Sequence, residues 1–177
     1  MAFEKYLDLN PHQASLDELK VCADNKGLTV IGLDQADKDT WLQLLLAEYI
    51  EPHLGMSQPC FLFDFPASQA ALAKVNEKEG GAVAERFEVY VNGVELANGF
   101  HELTDAKEQR RRFENDLIER QHHNLPRDIP LDERLLSALE SGLPACAGVA
   151  LGVDRLVMLA TESERLDEVV SFTVDRA

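Results

Sequence analysis

Two stretches of this chain hold side chains whose types and spacing could do chemistry together: Phe87 to Asp105, and Gly148 to Leu159. Asn92-Gly93 stands between two runs of alternating residues, the strongest short-range signal for a two-residue hairpin turn of type I′. That turn sets a register of Val91 opposite Val94, Tyr90 opposite Glu95, Val89 opposite Leu96 and Glu88 opposite Ala97. Opposed residues share a face, so Val89, Val91, Val94 and Leu96 form an apolar side expected to pack on helices. The other side carries Glu88, Tyr90, Glu95 and Ala97, with the two glutamates as diagonal neighbours roughly 6 to 8 Å apart. Carboxylates that close repel unless a cation lies between them. Hard oxygen ligands suit Mg²⁺ held jointly by protein carboxylates and the phosphates of a substrate. The plainer alternative, two unrelated glutamates on a solvent-facing strand, stays open at this point.

Asn98, Phe100 and Glu102 continue the second strand. Strict alternation would send them to the face opposite Glu95, so a shared pocket requires a bulge or twist, expected near Gly99 because glycine permits it. Glu102 would then meet a cationic substrate group, or else cap the helix that follows. In Gly148-Val-Ala-Leu-Gly152 the small residues leave a flat surface on which a planar base or sugar could lie. Arg155 falls in the first turn of the next helix, where the helix dipole disfavours a cation. A polyphosphate or an adenine face would serve as its partner; so would an ion pair with Asp154 or Glu162.

The elements that must position these groups follow from pattern. Ser15-Leu-Asp-Glu18 has the form of a capping box and opens a short helix toward Gly27. Asp37 to Ile50 reads as a longer helix, deeply buried through Trp41, Leu42, Leu44 and Leu45, and ended by Glu51-Pro52. Cys60 to Phe65 reads as a strand closed by Pro66 and expected at the centre of the sheet. Ala67 to Gly81 reads as a loop. Thr104 or Asp105 caps a helix to about His122 whose Arg110, Arg111 and Arg112 are expected on a solvated face. Pro126 and Pro130 bracket a loop, and Asp132 to Glu140 makes a short helix. Strand Gly148 to Leu151, helix Val153 to Thr161 and a last strand Val169 to Val174 complete the chain. The order predicts an α+β fold with a largely antiparallel sheet, helical over 1–60 and sheet-bearing over 61–177.

At 177 residues, with 45% hydrophobic content, the chain suits one well-buried core. A net charge of −15, from 32 acidic against 17 basic residues, repels phosphate backbones and makes broad nucleic-acid binding a poor fit. Cys22, Cys60 and Cys146 are unclustered and odd in number, which argues against a disulfide framework and for a reducing compartment. No apolar run reaches the ~20 residues of a membrane span, and the first residues lack a signal-peptide pattern. The reading is cytoplasmic. The histidines show no zinc spacing.

The segment Glu95-Leu-Ala-Asn-Gly-Phe-His-Glu-Leu103 resembles the acidic strand pair of class II lysyl-tRNA synthetases, which ends in Glu-x-x-Asn-Gly-Phe-x-Glu-Leu. Gly148-Val-Ala-Leu-Gly-Val-Asp-Arg155 resembles their motif 3, Gly-x-Gly-x-Gly-x-Asp-Arg. From about Phe61 onward the chain is more similar to the tRNA-independent branch, whose members ligate β-lysine to elongation factor P. Ala150 stands where the tRNA-charging enzymes carry glycine, and its methyl group fits a β-amino acid.

The resemblance implies a homodimeric ligase that uses ATP and Mg²⁺ and needs no tRNA. It further implies that Glu88 and Glu95 bind magnesium and ATP, that Leu96 and Gly152 contact ATP, and that Arg155 meets its adenine or terminal phosphate. Glu95 and Arg155 would be the catalytic pair. Asn98, Phe100 and Glu102 would hold β-lysine or lysine, with Glu102 facing an amine and Ala150 shaping the pocket. The family's motifs 1 and 2 are not found, so the chain is expected to be the C-terminal part of a longer catalytic domain and inactive by itself. A fragment of a lysyl-tRNA synthetase and a non-catalytic module of the same fold remain as alternatives.

Overall fold

A computed structural model describes the chain except for residues 29, 31, 34, 35, 79, 123–128 and 175–177 and the side chain of residue 122. The capping box forms as expected: Ser15 Oγ accepts from the Glu18 N–H while the Glu18 carboxylate accepts from the Ser15 N–H, and α2 runs Leu16–Asn25. Asp37 caps α3 (Lys38–Tyr49) through the Thr40 N–H. A helix of six residues that no pattern announced, α1 (Ala2–Leu7), adds Phe3 and Leu7 to the same core. Leu19, Ala23, Leu45 and Ile50 are completely enclosed, and one sheet residue, Tyr90, is buried with them.

The sheet comprises β1 (Cys60–Pro66), β2 (Val75–Lys78), β3 (Gly81–Val91), β4 (Val94–His101) and β5 (Ala147–Leu151). All pairings are antiparallel, in the order β1-β3-β4-β5, with β2 also on β3. The expected α+β architecture is therefore present. Three expectations about the sheet fail. β1 is an edge strand and not a central one, because an aromatic run reports an apolar face and says nothing of how many neighbours a strand has. The expected loop 67–81 contains a 3-10 turn and β2, whose four residues are all exposed and so carry no burial pattern. Val169–Val174 is no strand: a 3-10 turn at Leu166–Glu168 leads into irregular chain with Phe172 79% exposed.

The hairpin register changes partway. Val91 pairs Val94 and Tyr90 pairs Glu95, as the turn dictates, but Leu96 is an extra residue, so Val89 pairs Ala97 and Glu88 pairs Asn98. The bulge lies at Leu96 and not at Gly99. Gly99 serves close approach instead: a side chain there would strike the Phe87 ring and come 2.8 Å from the Gly148 carbonyl oxygen. The helices also pack on the face opposite the one expected. Cys60, Leu62 and Tyr90 meet the α1–α3 core, whereas Phe61 and Phe63, on the Val89 side, are 62% and 64% exposed.

Beyond the hairpin, Asp105 Oδ1 accepts from the Lys107 and Glu108 N–H groups to start α4 (Ala106–His122). Arg112 is not on a solvated face. Its guanidinium donates to the carbonyls of Ala71 and Ala73 and straps α4 to the chain before β2. The loop expected between Pro126 and Pro130 falls mostly outside the described residues. Asp132 caps α5 (Glu133–Glu140), and α6 (Val153–Thr161) follows β5 directly.

At Gly55, φ is +70°, and a Cβ would collide with the Tyr90 carbonyl backbone. Gly55→Ala should therefore cost about 2 to 4 kcal/mol, from overpacking plus an unfavourable backbone conformation. Urea unfolding followed by circular dichroism measures it.

Candidate active site

The Leu96 bulge decides which side chains meet. Arg86, Glu88 and Tyr90 alternate along β3 onto one face, and Glu95, opposite Tyr90, joins them. Without the extra residue Asn98 and Phe100 would point away. With it, Asn98 lies opposite Glu88 and Phe100 opposite Arg86, and β5 adds Ala150 opposite Asn98 and Gly148 opposite Phe100. One face of the sheet thus collects both glutamates and the residues expected to hold substrate.

Glu88 is the hub of that face. Only 5% exposed, its carboxylate accepts from the Tyr90 hydroxyl at 2.7 Å, from Asn98 Nδ2 at 3.1 Å and from the Arg86 guanidinium. Such charge-assisted bonds offset the cost of burying a carboxylate. The Tyr90 oxygen is also 3.0 Å from Glu51 Oε1. The Tyr90 hydroxyl, with one proton to donate, thus stands between the carboxyl groups of Glu88 and Glu51. Burial pushes the Glu51 carboxyl up, and the charges of Glu88 and Glu95 push it the same way, against the Tyr90 hydrogen bond and Arg155. Burial, then the hydrogen bond to Glu88, likewise raises the Tyr90 hydroxyl. Sequence reasoning took Glu51-Pro52 only as a helix terminator; its distance along the chain from Glu88 left no signal.

Glu95 is placed differently. Arg155 Nη1 donates to the Glu95 carbonyl at 2.7 Å and lies 3.7 Å from Glu95 Oε2. The arginine in the first turn of α6 therefore turns to the hairpin and not to Asp154 or Glu162. The Gly152 N–H donates to the Leu96 carbonyl at 2.8 Å, which fixes α6 against the bulge. A cleft of about 360 Å³ opens here, lined by Glu95, Leu96, Asn98, Ala150, Gly152 and Arg155. A Cβ on Gly152 would make only ordinary contacts, the nearest at 3.5 Å. The fold does not demand glycine there, whereas a ligand lying on the backbone would. A second cavity of about 200 Å³, between α1, α3 and β1, is mainly apolar and lies apart from these groups.

Asn98 and Glu102 have unused polar atoms. Because Asn98 Nδ2 faces the Glu88 carboxylate, Oδ1 faces the other way, buried and without a donor. The half-buried Glu102 carboxylate accepts no hydrogen bond among the described residues. Asp105, not Glu102, caps α4. A side chain at Gly148 would run into Glu102 Oε1, so that glycine leaves the carboxylate its place.

Among the described residues no group of three or more His, Cys, Asp or Glu side chains is arranged to hold a metal ion. The donor set still suits magnesium, which takes one or two carboxylates and completes its shell with phosphate oxygens and water. Glu95 offers open oxygens, and those of Glu88 are shared with Arg86, Tyr90 and Asn98.

An antiparallel sheet with flanking helices, its acidic hairpin set against a small-residue strand and an arginine-bearing helix, is the α+β architecture of class II synthetases. Residues 15–176 match the family model of class II tRNA synthetases (D, K and N), and the chain belongs to that family. Its curated relatives include the elongation factor P--(R)-beta-lysine ligases of Klebsiella pneumoniae (strain 342), 53% identical, and of Edwardsiella ictaluri (strain 93-146) and Proteus mirabilis (strain HI4320), each 54% identical. Each alignment covers 176 residues and 99% of this chain but 54% of the relative. The chain spans about half the length of the curated relatives it matches.

Two outcomes test the hydrogen-bond network. With its folded pKa raised, Glu51 binds a proton more tightly in the folded than in the unfolded chain. Its contribution to stability is thus full below the ordinary carboxylate range and is lost as pH rises through the raised value. Urea midpoints measured between about pH 4 and 8 should fall with pH in part through this group, and Glu51→Gln should flatten that part of the slope. Asn98→Leu should leave Glu88 short of a donor and cost about 1 to 3 kcal/mol of stability, measured by the same unfolding.

Proposed function

We propose that the complete protein activates (R)-β-lysine with ATP and then transfers the β-lysyl group to a lysine side chain of elongation factor P. The substrate carboxylate attacks the α-phosphorus of ATP and pyrophosphate leaves. The target lysine amine then attacks the acyl carbon and AMP leaves. Neither step needs a nucleophile from the enzyme. The rate comes from positioning and from stabilising charge.

The observation that carries this reading is the buried Asn98 Oδ1, which has no donor, together with the half-buried Glu102 carboxylate beside Gly148, on the face that also holds Glu95. A buried acceptor without a donor is costly unless a ligand supplies one. Both call for N–H donors, and a lysine-like substrate brings ammonium groups. Phe100 offers an apolar surface to its methylene chain, and the Ala150 methyl beside Asn98 narrows the floor of the pocket. ATP lies across Leu96 and Gly152, with Arg155 on its adenine or terminal phosphate. Magnesium, when bound by Glu95 with Glu88, neutralises phosphate charge. The names of the relatives point to the same substrates.

The protein works in the cytoplasm as a homodimer and without tRNA, and these 177 residues by themselves turn over little. In the complete protein, Glu95→Gln should abolish substrate-dependent ATP–pyrophosphate exchange; undiminished exchange would refute the magnesium role. Glu102→Gln should raise the KM for β-lysine by at least about tenfold, the worth of one charged hydrogen bond, and leave the KM for ATP within about twofold. Charging of tRNA by the complete protein would instead favour a lysyl-tRNA synthetase. Calorimetry without heat from ATP and magnesium would favour a non-catalytic module.

A further inference from the structure

Glu88 takes donors from side chains that are themselves held from outside the sheet, and both holds lead to α3. On one side, the Arg86 guanidinium that binds Glu88 also donates to the Gln69 carbonyl at 3.3 Å and lies over the Phe65 ring at 4.4 Å. The Gln69 side chain in turn donates to Asp39 Oδ1 at 3.1 Å, in the first turn of α3. On the other side, the Tyr90 hydroxyl sits between Glu88 Oε2 and Glu51 Oε1, and Glu51 opens the 3-10 turn Glu51–His53 just past the end of α3. The chain after that turn is fastened to the hairpin: the Gly93 N–H donates to the Leu54 carbonyl at 2.8 Å and the Asn92 N–H to the Gly55 carbonyl at 3.0 Å. Tyr90 is buried, so its hydroxyl stays between the two carboxyl groups.

The consequence falls on Asn98. A side-chain amide has a donor end and an acceptor end of nearly equal size, so shape alone does not choose which of them faces a neighbour. A carboxylate held by Arg86 and Tyr90 only accepts, and the end of Asn98 turned to it is therefore the NH2 group, 3.1 Å from Glu88 Oε1. The oxygen is left without a protein donor, on a residue that lines the cleft. An amide that offers its oxygen takes an ammonium group, whereas one that offers its NH2 takes a carboxylate or a carbonyl. Arg86 does not fix this by itself. It binds Oε1, the oxygen that Asn98 also uses, and a glutamate with one oxygen held is free to turn about its last torsion, whose preferences are broad. Tyr90 holds the other oxygen.

We infer that Tyr90 and Glu51 are positioning residues for amine recognition: they hold the Glu88 carboxylate so that Asn98 keeps its acceptor, and not its donor, toward the substrate. Neither side chain touches the substrate. Glu51 places the hydroxyl, the hydroxyl places Glu88 Oε2, and the carboxylate so fixed orients the amide. The end of α3 thereby sets the charge class of ligand that the cleft accepts. This inference rests on the reading that the cleft takes a lysine-like substrate, and it adds a claim of its own, the coupling of Glu51 and Tyr90 to the Asn98 amide.

Kinetics of the complete protein and NMR of this chain test it. Tyr90→Phe, which removes the hydroxyl and keeps the ring in the core, should raise the KM for (R)-β-lysine in ATP–pyrophosphate exchange by at least about fivefold and leave the KM for ATP within about twofold. Glu51→Leu should move the same constant in the same direction, whereas Glu51→Gln, which keeps a polar group within reach of the hydroxyl, should leave it within about twofold of the unsubstituted protein. A merely structural role would move both KM values together; that result, or an unchanged KM for β-lysine, overturns the inference. The second readout needs no substrate. In this chain, NMR follows hydrogen exchange of the Asn98 side-chain amide, whose signals are assigned by their loss in Asn98→Leu. That hydrogen exchange should be at least about tenfold faster in Tyr90→Phe, and equal rates overturn the inference. A complete protein without β-lysine-dependent pyrophosphate exchange counts against the adenylation reading alone, and the amide signal then decides this inference by itself.

Discussion

The buried carboxylate of Glu88 is the constraint on which the site depends. At 5% exposure it must keep its donors, and those donors come from two strands: Arg86 and Tyr90 from β3, Asn98 from β4. The hydrogen bond from Asn98 requires Asn98 to share a face with Glu88, which requires an extra residue between Glu95 and Asn98. The bulge at Leu96 and the charge of Glu88 therefore specify one another. Once Asn98 is turned by its donor group toward Glu88, its acceptor is aimed elsewhere, buried and without a donor.

The same carboxylate couples the sheet to the helical part. Tyr90 is both the sheet's contribution to the helical core and a donor to Glu88, and its oxygen reaches Glu51 at the end of α3. Core packing of α1–α3 thus bears on a polar group of the site through one aromatic side chain. On the other flank the Gly152 N–H and Arg155 fasten α6 to the carbonyls of Leu96 and Glu95. Both carbonyls belong to the bulge and its neighbour, so the arginine of α6 is anchored where the register shifts.

Family membership joins these observations to an enzyme class. Glu95 and Arg155 remain part-exposed in the cleft, whereas Glu88 is enclosed. The two glutamates that look equivalent in the hairpin are thus unequal: one is held by protein donors and the other is open to an ion or phosphate.

Local chemistry was enough to determine the hairpin turn, the caps at Ser15 and Asp105 and the helices they start, because each rests on neighbours a few positions apart. Asn92-Gly93 fixed two rungs of the register for the same reason. The shift at Leu96 could not be read, since a bulge is chosen by the long-range bond between Asn98 and Glu88 and leaves no local mark. The edge position of β1, the pairing of β2, the absence of a strand over 169–174 and the side on which the helices pack were likewise decided by partners distant in sequence. Glu51 belongs with them: only tertiary structure brings that carboxyl to the hydroxyl of Tyr90, and burial there raises its pKa.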